Sequence, residues 1–438
     1  MSKIVIFLLG MGFLFISDST VSADSELQQI IHATPQNGLL ELQSVTYEGN
    51  IIITKPITIV GKKNTIIKGD QTGNVIEVKS SGVHIEGVTV INSGMDRNSG
   101  EEYAAIKLFE GNNVLKEITI TNSFHGIYLS QSHGNDIRQI HVTGRNNGEI
   151  AGQGNGIHLY YSNNNTLSDN TMIGTRDGMF FDNSNENTIT NNDVTRARYG
   201  LHFMYSNENS FIRNRFSFNT AGAAVMFSHQ NLLEENEFSL NQGSRSFGLL
   251  LQSSDDNLIK NNMFYQNLRG IYIDQSQNNR IENNKMIQNH VGIEIWASSS
   301  NQVFIENVFD RNVATVLSLG GHSNNDWNEN GRGNSWGASF PLLDLDRNGI
   351  GDSPVQYTSS LYKLVEENEL IYLFLKSPAI KLYEKMNEVF NRDQVMLIDD
   401  YPLIREIANN NLVERIAIPL IVGFLIVLFV IAKRRSGR

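Results

Sequence analysis

The sequence predicts an all-β protein, a right-handed parallel β-helix of about 22 residues per coil. A C-terminal helical segment and a single transmembrane helix follow it. Three observations carry this reading. Glycines 156, 178, 200, 222, 248, 270 and 292 recur at intervals of 22, 22, 22, 26, 22 and 22 residues. Asparagines 165, 187, 209, 231, 257, 279 and 301 repeat with the same intervals, the longer one included. Apolar residues keep phase with both sets. The first and third residues after each glycine run Ile157/Leu159, Met179/Phe181, Leu201/Phe203, Ala223/Val225, Leu249/Leu251, Ile271/Ile273 and Ile293/Ile295. Such alternation points them to one inner face. A disordered Asn-rich tract would not hold apolar columns in register.

Each element then has its own signal. Met1 to Ala23 carries Lys3, an apolar stretch over 4–16 and a small-residue Val21-Ser22-Ala23 site, the pattern of a secretory signal. A short capping helix is expected over 25–32. The β-helix is assigned to 24–315. Its early coils are looser, as in Ile51-Ile52-Ile53 and Val83-His84-Ile85-Glu86-Gly87, and 95–103 reads as a loop. About eleven coils are expected, a rod roughly 50 Å long at the usual strand spacing. A second apolar residue follows two positions after each marker asparagine, as at Leu167, Ile189 and Phe211. Another asparagine, at 170, 192, 214, 236, 262 and 284, follows five after it. This column reads as a side-chain amide ladder that satisfies backbone groups at the bends.

Beyond the rod, residues 316–376 form a cap. It contains Asp344, Asp346, Asn348, Gly349 and Asp352, the oxygen donors and glycine of a calcium loop, although Val355 stands where an EF-hand has glutamate. The alternative is a turn satisfied by its own backbone. Ser377-Pro378 opens a helix to about Asn391, with Ile380, Tyr383, Met386, Val389 and Phe390 on one face. That helix, in a docking segment 377–411, packs on the rod or meets a partner. Residues 416–432 are uncharged and precede Lys433, Arg434 and Arg435, so 412–438 reads as a single-pass anchor with its tail in the cytoplasm. The β-helix would then stand on the extracytoplasmic side of the cell membrane. The net charge is −11 and there is no cysteine. Disulfides and thiolate metal sites are excluded, and no basic stripe offers a nucleic-acid surface.

Alternation also names the outward residues. Met204 and Met226 should stack on adjacent coils, with His202 two residues from Met204 on the same face. His158 lies in the same column as His202, and His229 follows Met226 at the next bend. Two thioethers with imidazoles nearby suit Cu(I). Simple packing of these side chains against a covering loop or partner is the alternative. Phe180, Leu250 and Trp296 also point outward, which suggests a docking surface.

Several of these runs resemble one family. Tyr199-Gly-Leu-His-Phe-Met-Tyr-Ser-Asn207, Ala223-Ala-Val-Met-Phe-Ser228, Phe247-Gly-Leu-Leu-Leu251, Gly333-Asn-Ser-Trp336, Asp344–Asp352 and Ser377-Pro-Ala379 are similar to the NosD-type nitrous oxide reductase maturation proteins. The resemblance implies a non-enzymatic, exported β-helix resting on an ABC transporter permease with its ATPase below. It also implies copper-site assembly in nitrous oxide reductase, with copper received from a chaperone. Carried over by position, His202, Met204 and Met226 lie inside the matching runs, and His158 and His229 outside them. The C-terminal anchor departs from the periplasmic pattern of that family.

A β-helix enzyme or sugar-binding protein acting on surface polysaccharide is the rival. The outward acids Asp182 and Asp274 lie four coils apart, about 19 Å, too far for a hydrolytic pair.

Overall fold

The computed structural model of the chain describes residues 25–404, except 96–99, 146–149, 244, 322–323, 338–339, 341 and 391–393. The expected signal (1–23) and anchor (412–438) lie outside these. Among the described residues no helix is long and apolar enough to cross a membrane.

Three parallel sheets of 12 strands each run the length of a right-handed solenoid. Every strand pairs with the equivalent strands of the coils before and after it, so the 22-residue beat becomes register. Leu167 lies beside Ile189, and Ile189 beside Phe211, in the first sheet. Met172, Val194 and Phe216 do the same in the second. Leu201 pairs with Ala223 and Ala223 with Leu249 in the third. All of these side chains are fully buried and form one continuous core. The coil count is twelve, one more than the sequence suggested. The early coils hide it, because Leu39, Thr58, His84, Val114, Asp136 and Thr166 align as neighbours at unequal intervals. Twelve coils span roughly 53 Å.

The glycine column has a steric cause. A Cβ on Gly222 would stand 2.3 Å from the carbonyl oxygen of Gly248. One on Gly178 would stand 2.2 Å from Val194 Cγ1. The third-sheet strand begins there with the next coil's backbone against it. The amide ladder forms as expected and does more than the sequence indicated. Asn214 Oδ1 accepts the Asn192 N–H at 2.9 Å, and Asn214 Nδ2 donates to the Ile189 carbonyl at 2.9 Å. The marker column does the same, Asn209 Oδ1 accepting the Asn187 N–H at 2.9 Å and Asn209 Nδ2 donating to the Ser184 carbonyl at 3.1 Å. A parallel column of asparagines, 219, 241, 267 and 289, and a serine column that includes Ser206 and Ser228 run beside it.

Both ends are closed. Helix α1 (Glu26–Ala33) covers the first coil with Leu27 and Ile31, its first turn capped by Ser25 Oγ accepting from Gln28 N–H. At the other end Phe304 stacks on Trp327 and Phe309 on Trp336. Trp336 Nε1 donates to the buried Asp399 carboxylate at 2.8 Å. Asp399 lies in an antiparallel pair of strands, 355–359 with 394–399.

The helical segment begins at α2 (Leu361–Glu367) and continues through a 3₁₀ turn (Glu369–Phe374) to α3 (Pro378–Val389). Leu361, Val365, Tyr372 and Ile380 pack with Leu268, Val291 and Leu317 on the outer face of the third sheet. Of the apolar face expected on α3, only Ile380 is buried. Met386, Val389 and Phe390 are 52–70% exposed. Buried Arg269 ties this layer down. Its Nε donates to Glu294 at 2.8 Å and its guanidinium lies over the Tyr372 ring. The Tyr372 hydroxyl also bonds Glu294.

Candidate metal centre

The outer face of the third sheet carries three columns of chemistry. Met204 and Met226 are direct register partners on adjacent strands, and both are half-buried. His202 pairs with Phe180 on one side and Ala224 on the other, so it shares the face of Met204.

His202 is held from three directions. Phe180 stacks on its ring at 4.5 Å, and Tyr199 meets it edge-on at 5.1 Å. Its Nδ1 lies 3.1 Å from Asp177 Oδ2. The same carboxylate takes both donors of Arg198, Nε at 2.8 Å and Nη2 at 2.6 Å. Burial pushes the Asp177 carboxyl up, but its bonds to His202 and Arg198 outweigh this and hold it below its ordinary value. An ionised carboxylate only accepts, so the neutral His202 ring carries its proton on Nδ1 and keeps the lone pair on Nε2. Two thioether sulfurs on neighbouring strands and this nitrogen on the same face are donor types that suit Cu(I).

Next to Met204 and Met226, at the bend, stand Tyr205 and Phe227. Both are in the left-handed region (φ 53° and 51°) and stack at 5.1 Å. Both are exposed. Bulky residues disfavour that conformation, and the equivalent bend positions of other coils hold Gln131, Tyr161, Asn183, Ser253 and Gln275.

His158 is not part of this set. Phe180 separates it from His202, with His158 stacked at 4.7 Å on the far side. It belongs to a cluster with buried His125 and exposed Glu102, whose ligand atoms lie within 4.8 Å of one another. Glu102 comes from the loop expected over 95–103. His125 Nδ1 accepts the Asn155 N–H at 2.9 Å. That places the His125 proton on Nε2, where it is donated to Glu102. In this arrangement His125 has no lone pair to give a metal, and the cluster reads as a hydrogen-bonded dyad beside a neutral imidazole. His158 Nε2 is buried without a partner. Burial pushes both imidazoles down, His158 well below its ordinary value.

His229 stands apart too. Its Nδ1 accepts the Asp255 backbone N–H at 3.0 Å, and its backbone N–H donates to Asn207 Oδ1. It is a rung of the ladder at the bend, the role His133 plays for Asn163.

Residues 139–339 match a family described as periplasmic copper-binding protein (NosD), and 73–198 match the right-handed β-helix region. Over residues 139–339, a little under half of the chain, this is a NosD-type β-helix. No curated protein sequence matches it significantly. Among solved structures, the catalytic domain of a GH87 α-1,3-glucanase in complex with nigerose aligns with a TM-score of 0.52 at 13% identity. The alignment covers 68% of this chain and 64% of that one, so the NosD-type chain spans under two thirds of the glucanase domain. PfbA, a surface adhesin of Streptococcus pneumoniae, aligns at 0.49 and 13% identity, covering 70% and 89% of the two chains. The A-module of a mannuronan C-5 epimerase from Azotobacter vinelandii aligns at 0.46 and 11%, covering 72% and 94%. At these identities the likeness is one of fold alone.

Two further expectations are placed by the NosD-type structure. Leu250 does not face solvent as a docking residue. It is 7% exposed and packs with Phe247 and Ala224 on the outer face. Trp296 packs against the helical layer, and Phe180 alone of the three remains on the open strip. In the Asp344–Asp352 loop the oxygens are engaged by backbone. Asp344 accepts from the N–H groups of Asn348 and Gly349, Asp352 from Leu345, and Asn348 Oδ1 from Ile350. This is the geometry of nested Asx turns.

Sequence reasoning missed Asp177, Arg198 and Glu102. Asp177 had one local signal, a carboxylate directly before a column glycine. The others reach their partners across coils.

Proposed function

We propose that this protein is the extracytoplasmic accessory component for copper-site assembly in nitrous oxide reductase, with Cu(I) as its cargo. His202, Met204 and Met226 take up the ion and hand it on. The reading includes a copper chaperone as donor and the reductase as recipient. It also includes an ABC transporter permease and ATPase beneath the rod, with residues 412–438 as the membrane anchor. The half-exposed α3 face, with Met386, Val389 and Phe390, is the surface offered to the permease.

The observation that carries the reading is the register of Met204 with Met226 beside an imidazole whose Nε2 is free. Neither thioether is needed for the core, which lies on the other side of the strand. The match to a copper-binding family points the same way.

Titration of the full chain with Cu(I) against a chromophoric Cu(I) chelator tests the cargo. The wild type should withdraw copper from the chelator, and Met204→Ala/Met226→Ala should not. Equal competition by both proteins would refute the assignment. Co-purification of the permease and ATPase with the wild type, and its loss with Met386→Asp/Phe390→Asp, tests the partners.

A further inference from the structure

We infer that Asp177 is the positioning residue of the copper site: it fixes the tautomer and orientation of His202 so that Nε2, and not Nδ1, meets the metal. The inference rests on the assignment of His202 as a ligand and adds a residue to it.

Asp177 has no reason of fold to be a carboxylate. Its column holds Asn155, Tyr199, Ala221, Phe247 and Arg269 at the equivalent positions. It is 1% exposed, and a buried charge must be matched. Arg198 matches it, through two parallel bonds, and lies over the Tyr199 ring at 4.4 Å. That leaves one acceptor direction on Oδ2, and His202 Nδ1 occupies it. Arg198 neutralises the carboxylate without reaching the imidazole's other nitrogen. Phe180 and Tyr199 hold the plane of the ring, so His202 presents one nitrogen in one direction. A metal-bound imidazole whose far N–H is given to a carboxylate is a firmer and more basic ligand.

The geometry predicts a specific failure. In Asp177→Asn the amide must serve three donor contacts with one oxygen. With Oδ1 turned to Arg198 Nε, the NH2 group faces both Arg198 Nη2, donor against donor, and His202 Nδ1, which must then accept. The proton moves to Nε2 and blocks the ligand position. With the amide reversed, the NH2 group meets Arg198 Nε and breaks the pair that holds the site.

The test uses the full chain with 15N-labelled histidine. Long-range 15N–1H correlation should show the metal-free wild-type His202 as the Nδ1–H tautomer, and Asp177→Asn should weaken that signature, because only one of its two amide orientations leaves Nδ1 an acceptor. Cu(I) affinity of Asp177→Asn should fall about tenfold or more, the usual range for such a partner. A wild-type His202 in the Nε2–H form would overturn the inference without any variant having to fold. Unchanged affinity in Asp177→Asn, with Met204→Ala/Met226→Ala still unable to bind, would overturn it while leaving the ligand assignment standing. If the methionine variant also binds like wild type, the ligand assignment itself falls.

Discussion

Asn209→Ala isolates what one rung of the amide ladder contributes. Asn209 is 1% exposed. Its Oδ1 accepts from the Asn187 N–H at 2.9 Å and from Asn187 Nδ2 at 3.0 Å. Its Nδ2 donates to the Ser184 and Asn207 carbonyls and to Asn231 Oδ1. Truncation therefore strands the Asn187 backbone N–H, its amide and the Ser184 carbonyl where water cannot follow. Each buried orphan costs about 1–3 kcal/mol, and two or three of them give roughly 3–6 kcal/mol. That is a large share of the stability of an ordinary domain. Thr188→Ala, on the exposed side of the first sheet, is the control and should change stability by under about 0.5 kcal/mol. Urea unfolding followed by circular dichroism gives both values. A loss below about 1 kcal/mol for Asn209→Ala would refute the view that the ladder satisfies backbone groups with no other partner.

Gly222→Ala should destabilise the rod by about 1–3 kcal/mol in the same assay, because its Cβ would stand 2.3 Å from the Gly248 carbonyl oxygen. Tyr372→Phe removes the hydroxyl bonded to Glu294 and should cost about 1.5–3 kcal/mol, read as faster hydrogen exchange over 361–375 with the central coils unchanged. Stability should fall as the pH is lowered below about 6.5. His125 and His158 have folded pKa values pushed below the unfolded one, so the unfolded chain takes up protons first. Each group contributes up to about 1.4 kcal/mol between pH 7.5 and 5.5, burial pushes His290 down as well, and His158→Gln should make that slope shallower. An unchanged slope would mean that His158 is protonated in the folded protein.

The rod was legible because its physics is periodic. Any feature repeated in every coil leaves a column in the sequence. The apolar core, the asparagine rungs and the pairing of Met204 with Met226 all follow from one register. What repeats only once leaves no column. Phe247 packs on Leu250 from a column of otherwise unrelated residues, which the alternation does not announce. The helical layer hides Trp296 by a contact from a distant part of the chain. Asp177 sits in a column of unrelated residues and acts across 25 positions on His202. Glu102 reaches His125 from a loop that the pattern could identify only as an interruption. The calcium-like motif shows the converse. Its residues suit a cation, yet in the fold its oxygens also serve as turn-forming acceptors.

Stacked coils make height a counted quantity. The thioether pair cannot be moved along the axis by small adjustments. It can shift only in whole steps of about 4.8 Å, by gaining or losing a complete turn of chain between it and the C-terminal layer. Four such steps separate Met226 from Leu319, the last rung of its column, a stand-off of about 19 Å. The protein is thus a graduated ruler, and the number of turns between donor site and base is where selection could set the reach to whatever stands beside it.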